Sequence, residues 1–258
     1  ICTHNPDRDT LAWTFESLRQ QTLDSLIWEL ILVDNHSTNG VPGEMFPNRE
    51  GNPPLRVIRE EKQGLTHARI RGFAEARTDL FVLVDDDNYL REDYLAEALR
   101  LAQDYSGLGA FGGISEGKFE QPPAPFLEKA SRHLAIRYHG AKSITSKKDE
   151  WGEWEPIGAG MVVRRQVAER FVAFYHEQEA TGNLGRKGNQ LAGGEDSLLA
   201  RCAYRLGLAC AYRPELFLHH YITARRVSFR YLCRLSHGQG RTYVILNTLL
   251  GKPLEDIG

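Results

Sequence analysis

Three consecutive aspartates, Asp85, Asp86 and Asp87, follow directly on the strongest apolar run of the chain, Leu80 to Val84. Adjacent carboxylates repel one another, so each gains from a nearby cation or hydrogen-bond donor. Along an extended chain Asp85 and Asp87 share one face and Asp86 takes the other. A turn with a helix cap before Tyr89 would account for a lone aspartate here. Three at the end of one buried strand point instead to a metal and a diphosphate. Hard oxygen ligands of this kind suit Mg²⁺ or Mn²⁺, with substrate phosphates completing the shell.

Other residues could serve the same ligand. Asp34 ends a second apolar run beside Asn35, Ser37 and Thr38, and Thr3, His4 and Asn5 hold the corresponding place after the first strand. Two such polar edges side by side offer hydrogen bonds to a nucleobase, with an Asx turn as the alternative for Asp34. Gly64, followed by Thr66, His67, Ala68 and Arg69, opens a helix with a cation in its first turns. Helix starts attract phosphate and arginine grips it bidentately, although a solvated surface arginine reads the same way. Glu195 and Asp196 follow Gly193 and Gly194 at the head of a later helix. There they either cap the helix dipole or present a general base on a rigid helix end beneath a flexible loop.

The elements that must hold these residues alternate. Trp28–Val33, Leu55–Ile58 and Leu80–Val84 are apolar runs of the kind that form strands buried on both faces of a parallel sheet. Between them Leu11, Ala12, Phe15 and Leu18 share one helical face, as do Tyr94, Leu95, Ala98, Leu99 and Ala102. Thr66 reads as the N-cap of a helix through Ala76. The pattern predicts an α/β, Rossmann-like fold: a mostly parallel central sheet flanked by helices, with its ligand beyond the carboxyl ends of the strands. The second half is less regular. Lys142–Glu155 reads as a mobile polar loop and Pro156–Val163 as a strand entered through small residues. Thr181–Gly194 reads as a long loop or lid, and the helix from Glu195 buries Leu198, Leu199, Cys202, Ala203 and Leu206. A strand through Leu216 and Leu218 and a basic helix from about Val227 close the chain. We expect one domain over 1–258, with a nucleotide-binding half (1–105) and an acceptor-binding half with a C-terminal helical segment (106–258).

Composition narrows the class. At 41% hydrophobic and 26% charged residues the chain can bury a core, and a net charge of -2 gives no pull toward nucleic acid. No apolar run spans a bilayer and no secretory signal is present. The opening Ile1-Cys2-Thr3 reads as the tail of a strand already under way, so both ends look trimmed. Cys2, Cys202, Cys210 and Cys233 lack zinc or CxxC spacing and read as reduced core residues, hence a cytosolic compartment. Trp151 and Trp154 either stack on sugar faces or pack back onto the domain. Arg225, Arg226, Arg230 and Arg234 read as a solvated helix face, with a contact to anionic lipid as the alternative.

The set resembles the family 2 glycosyltransferases with their A-type nucleotide-sugar fold. Cys2-Thr3-His4-Asn5 and Val33-Asp34-Asn35 look like the strand edges that hold the base. Gly64-Leu65-Thr66-His67-Ala68-Arg69 is similar to the family's glycine-to-Ala-Arg helix start, and Val84-Asp85-Asp86-Asp87 resembles its DXD signature. Gly158-Ala159-Gly160-Met161-Val162 looks like the strand lining the sugar site. Glu195-Asp196, with Arg201 and Gly207 downstream, is similar to its ED motif. The resemblance implies that Thr3 and Asp34 contact the base, uracil first, and that Asp85 touches the ribose side of the donor. It implies that Asp87 binds Mn²⁺ or Mg²⁺, and that His220, or in competition His219, adds a metal or diphosphate contact. Asp196 would deprotonate the acceptor hydroxyl for a single inverting displacement, with Glu195 beside it. The implied partners are a nucleotide-diphosphate sugar and a saccharide or glycolipid acceptor, in bacterial surface polysaccharide or glycoconjugate synthesis, in the cytoplasm or peripherally at the inner face of the plasma membrane.

Processive relatives carry Gln-x-x-Arg-Trp, whereas Gln239-Gly240-Arg241-Thr242 has neither the spacing nor the tryptophan. One sugar per encounter is therefore expected. Two rivals remain. A sugar nucleotidyltransferase would show a Gly-rich signature with a lysine near its amino terminus, and neither stands among the first residues. A non-catalytic nucleotide-sugar-binding protein would have no need of Glu195-Asp196.

Overall fold

A computed structural model describes residues 1–40, 53–131, 133–178, 191 and 193–254. Three short apolar segments, β1 (Cys2–Thr3), β2 (Leu30–Asp34) and β3 (Leu55–Arg59), pair in parallel in that order. Parallel neighbours need crossovers, and α1 (Arg8–Arg19) makes the first, its start capped by the Asp7 carboxylate, which accepts from the amides of Asp9 and Thr10. After β3, α2 (Leu65–Glu75) returns across the sheet. Its N-cap is Gly64 rather than the expected Thr66: at φ 138° the backbone adopts a conformation open to glycine, and the Gly64 amide donates to Asn35 Oδ1 at 2.7 Å.

The second sheet is mixed. β4 (Leu80–Val82) lies antiparallel to β8 (Val162–Arg164), which pairs antiparallel with β6 (Leu108–Phe119). β6 runs parallel to the long β9 (Ala209–Ile222), which also carries β5 (Asn88–Leu90) and β7 (Ile144–Ser146) antiparallel. The Leu80 run therefore enters an antiparallel pairing in place of the expected parallel one. An isolated parallel bridge between Cys2 and Asp85 joins the two sheets, so the parallel β1–β3 set continues into the mixed one. Helices pack on both sheet faces.

Alternation within the strands separates two core layers. Phe111 and Val162 pack with Leu11 and Phe15 of α1 and with Tyr94 and Leu101 of α3 (Tyr94–Asp104). Their neighbours Ala110 and Val163 pack with Phe171 of α5 (Arg165–Glu177) and with Leu198 and Cys202 of α6 (Glu195–Arg205). Leu246, from the last helix, completes that layer. A short α4 (Glu128–Ser131) precedes a third cluster, in which Leu134 and Ile222 meet Tyr231, Leu232 and Leu235.

The expected polar loop Lys142–Glu155 contains β7 and ends on a buried Glu155. The expected lid, Thr181–Gly194, falls mostly outside the described residues. Leu206 is the C-cap of α6 and 40% exposed, not buried. The basic segment begins as a 3₁₀ turn, Ala224–Val227, before α7 (Phe229–Leu250). Cys202 and Cys210 are buried, Cys2 is half-buried and Cys233 is exposed, so the core reading fails for the last of these. Among the described residues no helix is long and apolar enough to cross a membrane.

Candidate active site

The aspartates lie on a turn rather than on an extended strand. The Asn88 amide donates to Asp85 O at 3.2 Å and the Asp85 amide donates to Asn88 Oδ1 at 3.1 Å, which closes the chain back into β5. The expected alternation of faces therefore does not hold: Asp85, Asp86 and Asp87 all line one cavity of about 720 Å³, a volume in the range of small-ligand sites. Asp86 accepts from the Thr3 hydroxyl. Burial, then Asp87 alongside, pushes its carboxyl up to about 7 against that hydrogen bond.

The pairing of β5 with β9 brings the next residues together, since Asn88 opposes His220. Asp87 Oδ2 lies 3.3 Å from His220 Nε2, and His220 is 2% exposed. His219, one residue earlier on the opposite face of β9, is half-buried and paired with Glu116 at 3.1 Å. Of the two histidines, His220 alone lines the cavity. Arg226 completes the cluster: its Nη1 donates to Asp87 Oδ2 at 2.7 Å and lies 3.2 Å from His220 Nε2. Sequence reasoning assigned Arg226 to a solvated helix face. The available signal was its position four residues beyond a strand that ends at the cavity.

Arg69 is buried, not solvated, and its Nη1 lies 3.3 Å from Glu195 Oε1 and its Nη2 4.0 Å from Asp85 Oδ1. Burial alone would weaken its charge, but Glu195, Asp85 and Asp196 together hold its pKa above the ordinary value. The space for this guanidinium is made by Gly158, where a Cβ would come within 2.6 Å of Arg69 Nη2. The Gly158 amide in turn donates to Asp196 Oδ2 at 3.1 Å, and Asp196 Oδ1 accepts from the Ser197 amide at 2.8 Å. The head of α6 thus splits its two acids: Glu195 turns to the buried cation, and Asp196 lines the cavity. Gly160, at φ 73°, lets its carbonyl accept from Tyr94 Oη at 2.6 Å and fixes the same small-residue turn.

Of the expected base-binding residues, Thr3 and His4 line the cavity with Asn35 and Gln63. His4 Nδ1 lies 2.8 Å from Asn35 O, and its Nε2 lies 3.0 Å from Gln63 Nε2. Asn5 and Asp34 stand behind this edge. Asn5, at φ 50°, accepts from the Thr38 amide at 2.8 Å. Asp34 accepts from the Ser37 amide at 2.9 Å and pairs with Arg59. Burial would raise the Asp34 carboxyl, but Ser37 and Arg59 hold it below the usual carboxylate range. Its carboxylate is thus engaged in the turn rather than presented to the cavity.

Behind Trp151, which lines the cavity, stand residues the sequence did not single out as a unit. Arg201, fully buried in α6, lies 2.7 Å from Glu155 and donates to the Glu150 carbonyl at 3.0 Å. Its guanidinium also stacks 4.9 Å from the Trp151 ring centre. The two tryptophans separate: Trp151 lines the cavity and is 49% exposed, whereas Trp154 packs back and donates to Tyr204 Oη at 3.0 Å.

Among the described residues no group of three or more His, Cys, Asp or Glu side chains encloses a metal by itself. Asp87 Oδ2 and His220 Nε2 nonetheless converge on one point, where the Arg226 guanidinium stands as a cation. Two protein ligands with phosphate oxygens completing the shell suit Mg²⁺ or Mn²⁺, so these residues fit such an ion.

A family model, Glycosyl transferase family 2, matches residues 1–172. The dolichol-phosphate mannosyltransferase of Pyrococcus furiosus is 28% identical over 172 residues, 66% of this chain and 46% of that protein. The S. aureus TarS fragment 1–349 in complex with UDP-GlcNAc superposes with a TM-score of 0.63 at 15% identity, covering 99% of this chain and 66% of that one. GalNAc-T7 with UDP, GalNAc and Mn²⁺ superposes with a TM-score of 0.62 at 14% identity, covering 99% and 47%. The chain spans less than half the length of the curated relatives it matches.

Proposed function

The chain belongs to glycosyl transferase family 2, and from that membership we propose that it moves one sugar from a nucleotide-diphosphate donor to an acceptor hydroxyl with inversion. The observation that carries the proposal is the shared cavity of Asp85, Asp86 and Asp87, Arg69, His220 and the Glu195-Asp196 helix head. A donor seated there meets cations at Arg69 and Arg226 and a carboxylate at Asp196. Asp196 is the base: it takes the acceptor proton as the new bond forms. Glu195 holds Arg69 toward the donor. Thr3 and His4 read the base, and Asn5, Asp34 and Asn35 hold that edge in shape. Asp85 and Asp86 lie along the ribose and diphosphate path.

Asp87 and His220, with Asp85 near them, would hold Mn²⁺ or Mg²⁺, which when bound neutralises charge on the departing diphosphate. UDP-GlcNAc in the TarS complex and UDP with Mn²⁺ in the GalNAc-T7 complex support a uridine diphosphate donor and a divalent ion. The acceptor is a saccharide or glycolipid, and the setting is bacterial surface polysaccharide or glycoconjugate synthesis in the cytoplasm. Exposed Phe229 beside Arg225 and Arg230 supports peripheral contact with an anionic membrane.

The test is UDP binding with and without Mn²⁺, followed by donor hydrolysis without acceptor. The wild type should bind UDP more tightly with Mn²⁺ and hydrolyse the donor slowly, and Asp87→Ala should lose the metal dependence while staying folded. Equal UDP binding by both proteins, with or without Mn²⁺, would overturn the assignment.

A further inference from the structure

We propose that the Arg226 guanidinium and a divalent cation are alternative occupants of the Asp87–His220 edge, so that loading the metal releases Arg226 onto the diphosphate. This inference rests on the metal reading given under Proposed function. Arg226 comes from the 3₁₀ turn after β9, and its side chain is 12% exposed. Its Nη1 sits 2.7 Å from Asp87 Oδ2 and 3.2 Å from His220 Nε2, and those two atoms lie 3.3 Å apart. One cation is therefore already bracketed by the two atoms best placed to ligate another.

The contacts at this edge are those of a cation held by a carboxylate. A guanidinium only donates, and it meets Asp87 Oδ2 and His220 Nε2 together. A metal at Nε2 takes the neutral ring with its proton on Nδ1, and His220 Nδ1 is buried without a hydrogen-bond partner among the described residues. Two cations cannot share this edge without strong repulsion, because its three side chains are largely buried. Arg226 must leave Asp87 when the metal arrives.

The released side chain has a destination. Arg226 Nε is also buried without a partner among the described residues, leaving the guanidinium with an unused donor beside the cavity. A planar fork with spare donors suits phosphate oxygens. Metal and nucleotide would then favour each other beyond their direct contact, since the metal frees a cation that the diphosphate takes up.

The experiment follows free Mn²⁺ by its electron paramagnetic resonance signal during titration of nucleotide-free wild type, Arg226→Met, Arg226→Lys and Asp87→Ala, and then measures UDP affinity at saturating Mn²⁺. Arg226→Met should bind Mn²⁺ roughly tenfold more tightly than wild type, because the competing charge is gone. It should bind UDP roughly tenfold more weakly, because a charged phosphate donor is lost. Arg226→Lys keeps the charge and should stay within about threefold of wild type for Mn²⁺. If Asp87→Ala loses Mn²⁺ while Arg226→Met binds it no better than wild type, the exchange is wrong and the metal site stands. An Arg226→Lys protein that tightens as much as Arg226→Met also defeats the exchange, since charge would not be the cause. If Asp87→Ala binds Mn²⁺ as wild type does, the metal reading and the exchange fall together. Unchanged UDP affinity in Arg226→Met overturns the transfer of the guanidinium to the diphosphate.

Discussion

The amide of Gly158 donates to Oδ2 of Asp196 at 3.1 Å, so the proposed base is fixed by main chain at the entrance of β8 rather than by a neighbouring side chain. Asp196→Asn keeps an oxygen for that amide and removes the proton acceptor. Transfer should fall by roughly 10²–10⁴-fold, the usual worth of a positioned base, while UDP affinity stays near wild type. Single-turnover kinetics with donor in excess reads the chemical step. Near-full turnover would leave Asp196 as a helix cap and no more.

Glu195 has a different role from its neighbour. It faces the buried Arg69 at 3.3 Å, and removing one partner of a buried pair strands the other. Glu195→Gln should lower unfolding free energy by about 1–3 kcal/mol and weaken UDP together with stability. Urea unfolding and UDP titration on the same protein check this. A variant with normal stability and normal UDP affinity would mean that Glu195 serves the helix end alone.

The chain of motifs was legible because each is local. An apolar run ending in aspartates marks Leu80–Asp87, and paired glycines before paired acids mark the head of α6. What joins them is not local. Asp87 meets His220 only through the register of β5 against β9, and Arg226 joins them only because a 3₁₀ turn follows that strand. Arg201 stands in the sequence only as a residue downstream of Glu195-Asp196; Glu155 and Trp151, some fifty positions earlier, close over it. β7 arises inside a polar stretch because β9 supplies its hydrogen bonds, a tertiary override of local preference. Asp34 reads as a site residue because it ends a buried strand, yet Arg59 from the neighbouring strand claims its carboxylate.

Gly158 offers a test of Arg69 that touches no charged group. A Cβ at this position would come within 2.6 Å of Arg69 Nη2. The guanidinium is buried against Glu195, so moving it aside carries an overpacking cost of about 1–3 kcal/mol. Gly158→Ala should therefore lower the unfolding free energy by about that much and weaken UDP by roughly tenfold through a displaced guanidinium. Unaltered UDP binding would take Arg69 out of the donor site.

Glu155 sets a pH dependence whose sign can be worked out. It is 4% exposed and 2.7 Å from Arg201. Burial pushes its carboxyl from the ordinary 4.5 up to about 7, with Arg201 and the Ser197 hydroxyl pulling the other way. The folded chain then keeps a proton that the unfolded chain releases, so stability declines as pH rises through this window. Below 4.5 both states are protonated and nothing is lost; above about 7 the whole cost is present. A rise of about 2.5 pH units corresponds to up to about 3 kcal/mol. Glu155→Gln resembles the protonated acid, so the two proteins should be similarly stable at pH 5, with the variant ahead by up to about 3 kcal/mol at pH 8. Asp86 titrates in both proteins and cancels in the comparison. Urea unfolding at the two pH values decides it: a Glu155→Gln protein less stable than wild type at pH 8 would mean that the Arg201 pair outweighs burial and that the Glu155 carboxyl ionises below its ordinary value.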